Sequence, residues 1–481
     1  MLRYFLFLLI CLSTQFINAQ IFNAGFETGS KNWDINNSKS QTFTIDFLSK
    51  FSGKSSLKIA GSQTSSSDYL PFYQTISIEN NELKTIRLTA FIRTENLTGT
   101  AALLCQILDI NGNKIGFQNS EMQNLIIKGN TDWKKCSLII TINEDVKKLV
   151  IGGYVSGNGA VWFDDFSIAG LTDTTVESNK EVNEFANEIT GIIKQNSIYT
   201  DSLNWNKIDA EIKEISKGIN DVDEAQIISD YLIKELKNVG DNHSFIQSKI
   251  TTQNYGRINS TSEKPESKII NNKIGYVKVP GFTSTNKVLS LQFADTIQNL
   301  IQNIDKQKPI KKWIVDLRNS KGGNMYPMIA GLGPLISNGI LGYFVNQKEK
   351  KENFEAWFYS NGKAGTAENR ILVDVKNPYL LKYKNPKIAI LINSKTSSSG
   401  EMTAISFIGK SNVKIFGRQS GGYTTGNVTY QLSNGTSLVL AATYITDRTK
   451  KKYLKGITPD VKVDSVNEED TLKSAISWLM E

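Results

Sequence analysis

Residues 389–409 read AILINSKTSSSGEMTAISFIG. An apolar run from Ile388 to Ile392, of strand length, enters a Ser/Thr-rich turn, and a helical pattern begins near Glu401. A buried strand that feeds a helix through a tight turn is the repeating unit of an α/β sheet. The same alternation extends to either side. KIGYVKVP (273–280) precedes the helical stretch KVLSLQFADTIQNLIQNI (287–304). KKWIVDLRNS (311–320) then runs into a glycine-rich turn, and VKIFGRQS (413–420) follows the quoted helix. The C-terminal half is therefore expected to be α/β.

Upstream the pattern changes twice. VNEFANEITGIIKQNSIY (182–199) and AQIISDYLIKELKNVG (225–240) carry apolar residues at helical spacing, and Gly240 is placed to stop the second helix. TDTTVESNK (172–180) is polar, without periodicity, and reads as a linker. Residues 21–170 show short alternating runs separated by Gly, Asn, Ser and Asp clusters, the pattern of a β-sandwich. The boundaries expected are a leader over 1–19, a sandwich over 20–170, a linker over 171–180, a helical region over 181–240 and an α/β core over 241–481.

The leader reading rests on MLRYFLFLLICLSTQFINAQ: one Arg, an apolar run to about Leu12, and Ala19-Gln20 as the close. That is the form of a secretory signal peptide, too short to span a bilayer, so the chain is expected to be exported, periplasmic or secreted, with no transmembrane segment. Cys11 lacks the small preceding residue of a lipoprotein cleavage site. Cys105 and Cys136 then remain, and in an oxidising compartment they fit a disulfide as well as two buried thiols. The net charge of +8 is scattered in short runs without interleaved aromatics, which argues against a nucleic-acid partner.

Three stretches could carry chemistry. In the strand-to-helix turn 393–401, a serine hydroxyl would stand exposed beside helix-start amides able to receive an oxyanion, although TSSSGE also reads as a helix cap. A serine nucleophile needs a base, and the chain holds one histidine, His243, in VGDNHSF (239–245). The pair Gly322-Gly323 follows a buried strand and lets a backbone approach a ligand closely.

In the order GDNHSF, GYVKVPGF, VDLRNSKGG, NSKTSSSGE, GRQSGGYTTGN and GITPDVKV, these motifs resemble the tail-specific, C-terminal processing serine peptidases over about residues 180–475. The resemblance implies a C-terminal α/β core of the ClpP/crotonase-like type, cleaving peptides or protein tails with no catalytic cofactor. The branch that uses histidine as base is the closer one, because Tyr423 stands where the other branch carries its lysine. On the motif, the nucleophile maps to Ser398, three residues before Glu401; His243 is the general base; and Gly322, Gly323 and Ser399 supply oxyanion amides. Glu401 is the first choice to orient the imidazole, with Asp241, Asp447 and Asp460 as alternatives. An unperturbed imidazole would make activity fall below pH ~6.5. The 27 residues IQSKITTQNYGRINSTSEKPESKIINN, between the histidine motif and the GYV strand, are too few for the PDZ domain many members carry.

NAGFETGSKNW, FSGKSSLKI and VWFDDFSI likewise resemble jelly-roll carbohydrate-binding modules. That resemblance implies a glycan or cell-surface ligand for the sandwich and a structural calcium held by Glu27 and Asp165. Two ordinary surface carboxylates fit the same residues. The leading expectation is an exported serine endopeptidase; the alternative is a peptidase-like protein that no longer cleaves and acts as a binding module.

Overall fold

A computed structural model describes residues 20–481 except 36, 38–40, 62–70, 79–83, 124, 172–176, 255–262, 349–350 and 368–369. The expected signal peptide and much of the expected linker lie outside the described residues. The chain divides into two compact units, one of residues 1–191, 203–235 and 432–436, the other of 192–202, 236–431 and 437–481.

The first unit is built on a curled sheet of β1 (Gln41–Asp46), β2 (Ser56–Gly61), β3 (Phe72–Ser77), β4 (Lys84–Leu108), β5 (Lys114–Asn119), β6 (Ile127–Ile142), β7 (Lys148–Val155) and β8 (Gly159–Gly170). Its order is β1-β2-β8-β4-β7-β3, with β5 and β6 also on β4. Strand β4 is 25 residues long and changes partner midway, from β8 over Ile86–Glu95 to β7 over Ala101–Leu108. This partner switch curls the sheet around one apolar core. Phe26, Trp33, Phe72, Phe163 and Phe166 meet there with ring centroids 4.9–6.4 Å apart, largely tilted or edge-on.

Helices α1 (Lys180–Asn196), α2 (Trp205–Ser216) and α3 (Gln226–Asn238) were expected with the peptidase core. By packing, α2 and most of α1 and α3 fall in the first compact unit. Arg87 of β4 forks onto Glu224, Thr85 donates to the Ile215 carbonyl, and Gln118 donates to Asp230. Cys105 and Cys136 are free buried thiols in this core, not a disulfide.

The second unit contains two sheets. It comprises β9 (Phe245–Gln247), α4 (Lys249–Asn254), β10 (Glu266–Ile270), β11 (Ile274–Lys278), α5 (Lys287–Gln307), β12 (Lys312–Asp316), α6 (Met325–Ile336), β13 (Gly339–Lys348), β14 (Lys351–Ser360), β15 (Lys363–Ala367) and β16 (Arg370–Asp374). There follow β17 (Lys387–Ile392), α7 (Ser399–Ile405), β18 (Val413–Gly417), β19 (Thr425–Gln431), β20 (Ser437–Asp447), β21 (Lys452–Tyr453), β22 (Val461–Lys462) and α8 (Glu468–Met480). One sheet runs β10-β11-β12-β17-β18-β22 and is parallel from β11 onward; the other runs β16-β15-β14-β13-β20-β19.

The parallel strands are apolar on both faces, so they read as continuous hydrophobic runs. Val277, Trp313, Val315, Ile388, Ile390 and Ile415 pack with α5 and α6, while Tyr276, Ile314, Ala389, Leu391 and Phe416 pack on α8. Three of these parallel strands, β12, β17 and β18, end side by side. A ligand in such a sheet binds outside the carboxyl ends of its strands. Among the described residues no helix is long and apolar enough to cross a membrane.

Candidate active site

The loops that leave β12, β17 and β18 are tied to one another. After β17, the Asn393 side chain accepts from the Asn319 amide, and the Thr396 hydroxyl donates to the Leu317 carbonyl at 2.9 Å. The Ser397 amide donates to the Ser320 carbonyl at 3.0 Å, and the Gly421 amide to the Thr396 carbonyl at 2.8 Å. The β17 loop is thus stitched to both neighbours just before Ser398.

Ser398 sits at φ 53°, ψ −122°, a region ordinary L-residues avoid. Holding a non-glycine residue there costs about 1–3 kcal/mol, and such strain gathers at functional sites. Two bonds fix it: its amide donates to Glu401 Oε2 at 2.8 Å, and its carbonyl accepts from Met402 at 3.0 Å. A sharp strand-to-helix turn presents a hydroxyl at the helix start, where first-turn amides lack intrahelical partners.

The geometry separates the three adjacent serines. The Ser399 side chain is buried and its hydroxyl donates to the Gly323 carbonyl. The Ser397 hydroxyl reaches back to the Lys395 carbonyl at 3.5 Å. Ser398 alone has the elbow backbone. Gly322 lies against it: a Cβ at Gly322 would stand 2.7 Å from Ser398 Cβ, and its φ of 94° also calls for glycine. Phe282 bridges Gly323 through the Gly322 carbonyl and the Asn324 amide, which leaves the Gly323 amide outside that pairing.

Glu401, fully buried, does not meet His243 Nδ1. Its carboxylate accepts from the amides of Ser398, Gly422 and Tyr423 at 2.8–2.9 Å and from the Ser420 hydroxyl. Burial raises its pKa, and those donors pull the other way. This corrects the expected role: Glu401 staples the Ser398 turn to the Gly421–Tyr423 loop. Asp241 is also committed, accepting from the His243 and Ser244 amides at 2.9 Å and from the Ser244 hydroxyl. Asp447 accepts from Thr449, Lys451 and Tyr453, and Asp460 from the Ile415 amide.

The atom facing His243 Nδ1 is the Thr425 hydroxyl, at 2.7 Å. The Tyr423 ring meets the imidazole edge-on, centroids 5.3 Å apart. Tyr423 and Ser398 donate their amides to the same Glu401 oxygen, so their nitrogens lie within two hydrogen-bond lengths of each other. The Tyr423–Thr425 stretch thereby contacts the imidazole through its side chains and the Ser398 turn through Glu401. Burial holds the His243 pKa down, to about 4, against the opposing charge of Asp241. Sequence reasoning had singled out the GRQSGGYTTGN motif but gave Thr425 and Asn427 no part; their place beside His243 depends on a hairpin that a linear reading does not register.

In the first unit, a Cβ at Gly25 would lie 3.1–3.5 Å from carboxylate oxygens of Asp165, Asp164 and Glu27. These carboxylates already have donors. The Lys54 amide donates to both Glu27 oxygens, the Phe51 and Ser52 amides to Asp164, and the Ser52 hydroxyl to Asp165. Among the described residues, no group of three or more His, Cys, Asp or Glu could hold a metal ion. These bonds tie residues 51–54 to Glu27, Asp164 and Asp165. Burial raises the Asp164 pKa to about 6, with the two amides opposing it.

Comparisons with known proteins agree with this architecture. A family model described as peptidase family S41 matches residues 273–463. The nisin-resistance protein of Lactococcus lactis subsp. lactis is 30% identical over 284 residues, 59% of this chain and 82% of that protein. The carboxy-terminal processing protease CtpA of Bacillus subtilis (strain 168) is 26% identical over 199 residues, 41% of this chain and 36% of that one. A lipoprotein structure from Streptococcus agalactiae superposes with a TM-score of 0.51 at 30% identity, covering 62% of this chain and 96% of its own.

Proposed function

The chain belongs to peptidase family S41, the tail-specific proteases, and from that premise we propose that it is an exported serine endopeptidase with Ser398 as nucleophile and His243 as base. One observation carries the assignment of residues: a strained, strand-to-helix Ser398 stapled through Glu401 to the loop that holds the chain's single imidazole.

The chemistry follows from the placement. Ser398 Oγ attacks the scissile carbonyl carbon while His243 takes the hydroxyl proton, so no free alkoxide is needed. The carbonyl oxygen, now negative, is received by the amides of Ser399 and of Gly322 or Gly323. Each such donor is worth about 3–4 kcal/mol to the transition state. His243 then returns the proton to the leaving amine, and the C–N bond breaks to an acyl-enzyme. A water molecule, deprotonated by the same imidazole, releases the acid and restores Ser398. No step calls for a cofactor.

Substrate binding is argued from the sheet. Among the described residues, strand β19 stands at the end of its sheet and pairs with β20. An edge strand offers amides and carbonyls to an extended peptide. A peptide or protein tail lying beside β19 would pass the Tyr423–Thr425 segment and deliver its carbonyl to Ser398.

A peptide library digested by wild type and Ser398→Ala tests this reading. Cleavage products are expected from wild type and none from the variant. Equal digestion by both proteins would overturn it.

A further inference from the structure

Serine hydrolases commonly hold their histidine with a carboxylate at Nδ1. Here that nitrogen faces a neutral hydroxyl, which can either accept a proton from the ring or donate one to it. The two cases are chemically opposite. If Thr425 accepts Nδ1–H, then Nε2 keeps a free lone pair and can act as base. If Thr425 donates, the ring proton sits on Nε2 and cannot be exchanged for the serine's.

The surroundings decide between them. Asn427 lies two residues further along β19, on the same face as Thr425. Its Nδ2 donates to the His243 main-chain carbonyl at 2.9 Å, an acceptor that cannot donate in return. That bond fixes the side-chain amide and turns Oδ1 toward Thr425. The Thr425 hydroxyl donates to this Oδ1 at 3.4 Å. A hydroxyl proton turned to Asn427 leaves only lone pairs for the ring.

We propose that Thr425 and Asn427 form a tautomer lock that places the imidazole proton of His243 on Nδ1 and leaves Nε2 as the base. The direction of each bond is set by the one before it: His243 carbonyl, Asn427 amide, Thr425 hydroxyl, His243 ring. The chain of bonds starts and ends on the same residue, so the imidazole is oriented relative to its own backbone. Thr425 is buried at 8% exposure, which shields the lock from competing water. The Tyr423 ring and the Asp241 carboxylate also act on the imidazole, the latter already occupied by the His243 and Ser244 amides. Thr425 and Asn427 are positioning residues, and their role rests on the peptidase reading above.

The single histidine makes the test direct. Full-length protein without a histidine tag, grown with ¹⁵N-histidine, gives one pair of imidazole nitrogens in an NMR spectrum at neutral pH. The proposal expects the proton on Nδ1 in wild type and in Thr425→Ser, and loss of that preference in Thr425→Val. Wrong-tautomer losses in serine hydrolases reach about 10⁴-fold in kcat. Thr425→Val is expected to lower kcat at least ~10-fold with KM unchanged, and Thr425→Ser to recover most of it.

A wild-type spectrum with the proton on Nε2 overturns the lock, whatever the variants do. That result alongside Ser398-dependent cleavage would leave the peptidase reading standing without it. A proton on Nδ1 in a protein whose cleavage ignores Ser398→Ala would instead keep the lock and sink the peptidase.

Discussion

His243 is neutral well below the pH at which a free imidazole charges. Burial is the larger influence and lowers its pKa to about 4, while the Asp241 charge only partly offsets it. The folded pKa therefore lies below the unfolded value of ~6.5, and the unfolded chain binds more protons in between. This contribution to stability is complete above ~6.5 and is lost as pH falls toward about 4. Activity is governed by the folded value. The acid limb of kcat/KM should centre near pH 4, not the ~6.5 that the sequence alone suggested, and a pH-rate profile checks it. Glu401 makes a second residue-scale case. A glutamine there would present an NH₂ to a site of four donors. Glu401→Gln should destabilise the protein by about 1–3 kcal/mol in urea unfolding and lower activity as the Ser398 turn loosens. His243 stood out in the sequence because it is unique, whereas the strand-helix turn did not separate Ser398 from Ser397 and Ser399 and the family motif was needed to choose it. Glu401's true partners could not be read there, since three of its four donors come from a loop 19 to 22 residues away.

The elements around the site act through strand ends. Strands β12, β17 and β18 were visible as apolar runs because both their faces are buried, and α7 was visible from the Glu401 cap. What the sequence did not disclose is how the β12 loop is held. Arg318 forks onto Asp316, Tyr276 donates to the same carboxylate at 2.7 Å, and Arg318 also reaches the Glu468 carbonyl at the start of α8. This buried network fixes the base of the loop that carries Gly322 and Gly323. At the tip, glycine is required by contact as well as by backbone angle. Gly322→Ala would press a methyl group on Ser398 at φ 94°. Its kcat/KM is expected to fall ~100-fold or more, as for loss of an oxyanion donor, with near-native circular dichroism. Unchanged kinetics would remove this loop from the site.

At the scale of the whole molecule, the all-β character of the first unit was legible from strand spacing, whereas which unit the helices pack in was not. Their apolar stripes are the same whichever unit they cover, and only pairs such as Arg87–Glu224 reveal the choice. The two cysteines are equally mute in sequence. In the structure both are free, and burial pushes the Cys136 thiol up to about 11 and Cys105 higher still. Neither should react with iodoacetamide in native protein, and both should after denaturation without reductant, as read by intact mass. The first unit also exposes Phe51, stacked on Phe91 at 3.5 Å with Trp133 at 6.1 Å, an aromatic surface of the kind that the glycan or cell-surface ligand expected from the sequence would use, and we propose it as that ligand's contact. A glycan array probed with full-length Ser398→Ala tests that proposal, and silence across the array would remove its glycan form. The peptidase claim has a more direct test. A fluorophosphonate probe reacts with an activated serine, and tryptic mass mapping locates the adduct. The account predicts one adduct, on Ser398, in wild type, and none in His243→Ala or Ser398→Ala. An adduct on another serine, or labelling that survives the loss of His243, would contradict it.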